Sequence, residues 1–489
     1  MSTEYDLVNR LVVAARCAFT QARQQHPKDT FYYFALFTDE MGAYVLPTCN
    51  SEEALREAAD RCAREFGRTE AEHTAVLRWS PADSPYHMLG MEYFSDLMEL
   101  FRSHGDPWQS DDDCLDAEID ARVEAAFQAL TILDKEGFFG QGVERERVIV
   151  TVFRYQQSSH SLLTNTSRLN PPSAVARMKR ELDIPDPVGD FITLGSQGAY
   201  QITALAYAPS TKVLVACGSG GELVAWSFEE DRELFAKKHD TGYWEAVISA
   251  DGHKLLVNDR KRLYRIEPSR GAQLELGIQN AWSVAISPNG EVIVTAYDDC
   301  IEASDAVTGQ RLWRQGMSVS NLCFSSDGGM LAVVRNTPID NIALLSARDG
   351  VVRHNLDSVC ASQGTRRPIA WAPNSHNLAV ADASGHITIL YRQQDTFILG
   401  ATLQLGAEGI PAPSVTDLTF SPDDSLLAST HADGSVHIWA PSRGRHLQQL
   451  RGVAESMDAV AFIDNRRVAA AGRDVDIGPP IYVWTIAGI

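Results

Sequence analysis

Trp79 and Asp83, in the segment Arg78-Trp-Ser-Pro-Ala-Asp83, are the sharpest local set of chemistry-bearing side chains in the first part of the chain. An indole with a carboxylate four residues on is a set that could hold a small substrate and move a proton on it. The plainer reading makes Asp83 a turn or helix-cap residue after Ser-Pro and Trp79 a core side chain. Both readings stand at this point. A run of acids, Asp111-Asp-Asp113 with Asp116, Glu118 and Asp120, offers oxygen ligands but lacks the glycine turn and terminal bidentate Glu of a calcium loop. It suits an acidic first turn of a helix. Cys217-Gly-Ser-Gly-Gly221 places Cys where a serine nucleophile elbow needs Gly, and it reads as a turn between strands. There is no Gly-x-x-x-x-Gly-Lys-Ser/Thr phosphate loop and no His-Glu-x-x-His zinc helix, and His87 and His104 have no partners at ligand spacing. No catalytic residue, metal or cofactor is assigned from these motifs.

The elements that position side chains in the rest of the chain come from a repeat. Seven copies follow one another after about residue 200, from AYAPSTKVLVACGSGGELVAW (206–226) to TFSPDDSLLASTHADGSVHIW (419–439) and AFIDNRRVAAAGRDVDIGPPIYVW (461–484). Their turns fall at Pro209, Asp251, Pro288, Asp327, Pro373, Pro422 and Asp464, a period of about 40 residues, as in a propeller blade. Each copy reads as three alternating strands plus a less regular fourth, joined by Asp/Asn-Gly and Pro-Asp turns. The last copy leaves too little chain for its fourth strand. Phe191-Ile-Thr-Leu194, a strand ahead of the first copy, is expected to supply it, closing the ring and removing a sheet edge.

Asp433 in the Ala-Asp-Gly turn and Trp439 at the end of the third strand, with Trp226 and Trp484 in similar places, make residues 190–489 resemble the WD-repeat (WD40) β-propellers. The sequence departs from that pattern, since no copy carries the Gly-His pair and only the sixth combines turn Asp with strand Trp. The resemblance implies seven blades, and one face on which the loops between strands two and three and between blades emerge together. The longest insertions, 335–340, 357–367, 408–414 and 473–480, then share a rim with Tyr243, Trp244, Tyr297, Arg335, Arg366, Arg367, His431 and Arg473. Arginine and large aromatics dominate interface hot spots, so the rim is the expected partner-binding site. The plainer alternative is a set of ordinary surface loops with one or two buried aromatics.

Residues 1–183 form a different object, expected as an α+β domain with a small antiparallel sheet. Tyr5–Gln25 has helical spacing of Leu7, Leu11, Ala14, Ala15 and Ala18. Strands are expected at 30–37, 43–46, 77–79 and 148–153, and further helices after Ser51, at 91–102 and at 116–135. Phe31-Tyr-Tyr-Phe, Asn50 with Ser51-Glu-Glu-Ala-Leu, Arg78-Trp-Ser-Pro-Ala-Asp83 and Gly137-Phe-Phe together resemble a bacterial family of domains of unknown function, number 4303. That resemblance implies a toxin-immunity context and no mechanism. A Pro-rich linker at 184–189 separates the two domains, with the propeller at 190–489.

Composition bounds the function. The 489 residues carry a net charge of −21, divided −12 over residues 1–189 and −9 over the remainder. Neither part presents the positive stripe that nucleic acid or an anionic membrane requires. No apolar run approaches membrane length, and the first residues, MSTEYDLVNR, lack a secretory pattern. The eight Cys form no Cys-x-x-Cys pair, which suits free thiols in a reduced cytoplasm. The expectation is a cytoplasmic, monomeric, non-enzymatic adaptor or immunity-type protein whose partner is a protein, a basic toxin or effector fitting the acidic surface. The alternative is an enzyme with a small-molecule site around Trp79 and Asp83.

Overall fold

In the computed structural model the chain divides into two compact units, Met1–Pro185 and Asp186–Ile489. The structure describes residues 2–39, 43–67, 69–103, 113–155, 157, 159–194, 201–268, 270–336, 342–356, 369–382, 384–393, 396–405, 412–473 and 481–487. The segment expected as a linker is shared between the units. The Ile184 amide still bonds the Lys179 carbonyl at 3.1 Å, whereas Val188 exchanges two backbone hydrogen bonds with Arg451 in the second unit.

The first unit runs α1 (Ser2–Gln25), β1 (Phe31–Thr38), β2 (Val45–Ser51), α2 (Glu52–Phe66), α3 (Glu70–Leu77), α4 (Ser95–Ser103), α5 (Asp113–Lys135), α6 (Val143–Arg147), β3 (Ile149–Arg154), α7 (Ser159–Ser167) and α8 (Pro172–Glu181). Its sheet has the order β2-β1-β3. It is mixed rather than purely antiparallel, because β1 pairs antiparallel with β2 and parallel with β3. Both faces are covered. Phe34, Leu36, Val150 and Val152 pack on the small apolar faces of α1 (Leu11, Ala15, Ala18) and α5 (Ala126, Ala129, Leu130). Tyr33, Ala35, Phe37, Ile149 and Phe153 pack on Leu162, Ala174, Met178 and Trp79. Two-sided burial explains why β1 reads as a continuous apolar run without alternation.

Leu77-Arg-Trp79, expected as a strand, is the end of a helix instead. Thr69 and Glu72 form a capping box that starts α3, and the Arg78 amide still bonds the Thr74 carbonyl at 3.0 Å. The exposed edge of β3 is covered by one side chain: Asn170 accepts from the Val150 amide at 2.8 Å and donates to the Val150 carbonyl at 2.6 Å. The Asn-Pro-Pro segment thus finishes the first unit's sheet.

The second unit contains, among the described residues, seven four-stranded antiparallel sheets. We number them I (202–238), II (245–279), III (283–315), IV (319–356), V (369–403), VI (415–451) and VII (456–485). The fourth strand of sheet VII is β4 (Phe191–Leu194), which pairs with Ile481–Thr485 in the register Trp484 to Phe191 and Ile481 to Leu194. Hydrophobic clusters straddle successive sheets. One joins I to II through Val215, Tyr243 and Val257, and another joins V to VI through Ile389, Phe420 and Trp439. A further one joins VII back to I through Ala459, Val483, Leu205 and Leu214.

The repeated turn between first and second strands has a specific chemistry. In sheets II, III, IV and VI a serine hydroxyl donates to an Asp or Asn two residues on. The pairs are Ser249–Asp251 at 2.5 Å, Ser287–Asn289 at 2.7 Å, Ser325–Asp327 at 2.6 Å and Ser421–Asp423 at 2.7 Å. The same hydroxyl accepts an amide five residues later, from Lys254, Val292, Met330 and Leu426. This side-chain substitute for a backbone turn is what makes the repeat visible in the sequence.

Candidate functional site

The expected rim residues do not all reach solvent. Tyr243 is 1% exposed, its ring edge-on to Tyr264 in the core between sheets I and II. Burial pushes its phenol well above the usual range. His431 is fully buried in sheet VI. Neither can touch a partner, because each fills space between strands rather than capping a loop. Arg366 and Arg367 lie outside the described residues, as does most of each of the four long insertions. Tyr297 is half-buried, and Arg335 donates to Asn355 at 2.9 Å; Arg473 is exposed. These three stand at or just after the end of the second strand in sheets III, IV and VII.

Trp244 is half-buried and belongs to a constellation that the sequence reading missed in part. The Arg260 guanidinium lies over the Trp244 ring, 3.7 Å from its centroid, and 5.3 Å from the centroid of Trp282. Trp282 is 51% exposed, and its indole N–H donates to Asp298. Arg260 sits in the turn of sheet II at φ +67°. Asn258 and Asp259 hold that turn, with Asn258 Oδ1 accepting from the Arg260 amide at 2.9 Å and Asp259 Oδ1 from the Lys261 amide at 2.8 Å. Trp244 and Trp282 both precede a first strand and are anchored alike: their amides bond Asn258 and Ala296 carbonyls, each at 2.8 Å. A sequence signal existed for the pair. Trp244-Glu-Ala-Val-Ile-Ser249 and Trp282-Ser-Val-Ala-Ile-Ser287 are the same motif in consecutive copies.

The Trp–Arg–Trp stack borders a cavity of about 230 Å³ whose walls come from the first strands of sheets I to VI. Its carboxylates are engaged in architecture. Glu245 accepts from the Val284 amide at 2.7 Å and the Ser283 hydroxyl at 2.9 Å, and Asp417 accepts from the Val460 amide at 3.0 Å. Each ties one sheet to the next. No group of three or more His, Cys, Asp or Glu among the described residues is arranged to hold a metal ion.

Sheet VI carries a buried polar chain that accounts for His431. The Trp439 indole N–H donates to Ser429 Oγ at 2.9 Å, and Ser429 lies 2.9 Å from His431 Nε2. His431 Nδ1 is 3.0 Å from the Pro413 carbonyl. A neutral imidazole protonated at Nδ1 satisfies every member, and burial holds its pKa below the usual value. In parallel, Asp433 accepts from the Ser435 amide at 3.0 Å, and His437 bridges Ser435 and His446 at 3.0 and 2.9 Å. Burial lowers the pKa of His437 to about 3. Gly434 closes this turn at φ +81°, where an added Cβ would meet the Ala454 carbonyl oxygen at 2.3 Å.

In the first unit Trp79 is 8% exposed, edge-on to Tyr32 with centroids 5.6 Å apart. Asp83 ends a short 3-10 turn (Pro81–Asp83), is exposed, and accepts from Ser80 Oγ at 2.6 Å. A cavity of about 600 Å³ adjoins Trp79, Phe37 and Phe153, but Asp83 is not among its walls. Trp79 and Asp83 therefore do not converge on one pocket.

Comparison with known proteins divides the chain in the same way. Residues 11–171 match the family described as Domain of unknown function (DUF4303). Residues 408–440, which include the first three strands of sheet VI, match the WD domain, G-beta repeat. Centriole proteome protein 16 of Chlamydomonas reinhardtii is 29% identical over 181 residues, which cover 35% of this chain. The chain spans only 8% of that protein's length. No helix among the described residues is long and apolar enough to cross a membrane. The chain joins a DUF4303 region to a strand-rich region that carries a WD repeat.

Proposed function

We propose that the second unit is a seven-bladed WD40-type β-propeller, closed by β4, and that it works as a protein-binding adaptor. The ring reading is supported by clusters that link each sheet to the next and sheet VII to sheet I. The binding reading is carried by the Trp244–Arg260–Trp282 stack. Arg and Trp pre-arranged by stacking lose little side-chain entropy on contact, and these types dominate interface energetics. Asp298 at its edge and the negative charge of both units favour a basic partner, whose approach is accelerated by charge complementarity. A basic toxin or effector fits that description, and the cytoplasm is the proposed compartment for an immunity-type role.

Affinity capture from the native cell, followed by mass spectrometry, tests this. Trp282→Ala combined with Arg260→Ala is expected to abolish capture of the partner while leaving the melting temperature within about 2 °C, as for surface substitutions. Capture in wild type is expected to weaken with added salt. If the double variant captures the same proteins, the surface lies elsewhere. The enzyme alternative requires turnover of a small molecule that Asp83→Asn abolishes, although Asp83 lies outside the cavity beside Trp79.

A further inference from the structure

The cavity beside Trp79 collects polar atoms that the fold leaves without partners. Trp79 Nε1, Gln157 Oε1 and Glu181 Oε2 are all buried with no hydrogen-bond partner among the described residues, and all three residues line the same space of about 600 Å³. They come from three elements: the turn after α3, the segment after β3, and the last residue of α8. Leaving one such atom unpaired is costly, and three around one cavity mark a place built to be filled. The volume falls within the range of about 300–1,000 Å³ usual for small-molecule sites.

Glu181 is the most telling of the three. A carboxylate at a helix C-terminus faces the negative end of the helix dipole. Among the described residues its ion pair is a long contact from Oε1 to Arg177 at 3.9 Å, on the oxygen that is not orphaned, and its charge is also felt by the Arg78 guanidinium. The buried Oε2 has no hydrogen-bond partner among the described residues.

We infer that this cavity binds a small organic cation: a protonated amine beside a carbonyl oxygen, carried on an apolar body. The two orphaned acceptors, Gln157 Oε1 and Glu181 Oε2, take N–H donors. The orphaned donor, Trp79 Nε1, takes the carbonyl. Phe37, Trp79, Phe153 and Tyr155 supply apolar walls and ring faces that tolerate a neighbouring cation. Among the described wall residues the charged ones are Glu181, Asp183 and Arg154, so acids outnumber bases in the wall, and Arg78 acts on Glu181 from outside it. Tyr155 and Val76, 53% and 66% exposed, stand at the mouth where a ligand would enter. This site is independent of the proposed adaptor surface, and either can fail without the other.

Calorimetric titration of the full chain with phenylalanine amide tests the inference, since that probe carries an ammonium, an adjacent carbonyl and an apolar ring. The expected dissociation constant is about 1 mM or tighter, with no binding of 3-phenylpropanoate, which keeps the ring and exchanges ammonium for carboxylate. Glu181→Gln keeps the shape and removes the charge, and is expected to weaken the amide about tenfold or more. Trp79→Phe keeps the ring and removes the donor, with an expected loss of about fivefold. Thermal melts of each variant check that the fold persists; if Trp79→Phe unfolds, Glu181→Gln alone decides. No binding of the amide to wild type, equal binding of the carboxylate, or an unchanged affinity in Glu181→Gln each overturns the inference.

Discussion

Trp439 shows how one side chain can hold two kinds of interaction at once. Its ring is 1% exposed in the core between sheets V and VI, and its N–H begins the chain through Ser429 and His431 to Pro413. Trp439→Ala leaves a cavity and an acceptor without its donor, and is expected to cost about 3–5 kcal/mol in urea unfolding. A loss below about 1 kcal/mol would contradict this packing. The histidines beside it set an acid limit. His437 has a folded pKa of about 3 against an ordinary 6.5, and His431 and His446 are shifted in the same direction by burial. The groups facing His437 include His431, His446, Asp433 and Arg451. Because the unfolded chain takes up protons near pH 6.5 and the folded chain does not, this contribution is complete above pH 6.5 and declines as pH falls toward 3. The slope approaches about 1.4 kcal/mol per pH unit for each fully shifted histidine. Asp433, shifted below the usual carboxylate range mainly by bonds from Ser435 against its own burial, adds loss in the same direction at lower pH. Unfolding midpoints measured from pH 7.5 to pH 5 should fall, and His437→Gln should flatten the fall; a pH-independent midpoint would refute the buried neutral imidazoles.

At the scale of elements, β4 is the piece whose sequence neighbourhood says least about its place. It pairs with a strand almost 300 residues away, and Phe191 sits edge-on to Tyr482 at 5.2 Å and tilted to Trp484 at 5.8 Å. Removing it uncovers those rings and the backbone edge of Ile481–Thr485. A chain trimmed to residues 200–489 is therefore expected to melt on the order of 5–10 °C below one trimmed to 188–489, from the loss of a few kcal/mol of buried apolar area. Equal melting temperatures would remove β4 from the closing role. The same comparison asks whether Val188 and Gly189, held against Arg451, Leu450 and Trp484, belong to the second unit as the structure places them.

For the whole molecule, the two proposed sites rest on different physics. The stack formed by residues of sheets II and III offers aromatic and cationic surface, the physics of macromolecular contact. The cavity in the first unit offers buried, unpaired donors and acceptors, the physics of a small ligand. The capture and titration experiments are therefore separate predictions: Trp282→Ala with Arg260→Ala should leave binding of phenylalanine amide unchanged, and Glu181→Gln should leave partner capture unchanged. Cross-effects would show coupling between the units, read as a change in one assay caused by a substitution in the other unit.

The repeat was legible in the sequence because its causes are local. Ser-x-Asp turns close within six residues, strands alternate within five or six, and both recur at a fixed spacing. Helix α1 was legible for the same reason, through apolar residues three and four apart. Burial between sheets was not legible. Tyr243 and His431 have the composition of loop residues, and only the approach of neighbouring strands sends them inward. The parallel pairing of β1 with β3 was hidden because a strand covered on both faces loses its alternation. Arg260 and Trp282 looked ordinary until a turn at positive φ set the guanidinium over two indoles that precede the first strands of separate sheets. The orphaned atoms of Trp79, Gln157 and Glu181 meet only through tertiary packing, because whether a buried group has a partner depends on what the fold brings beside it, not on its neighbours in the chain.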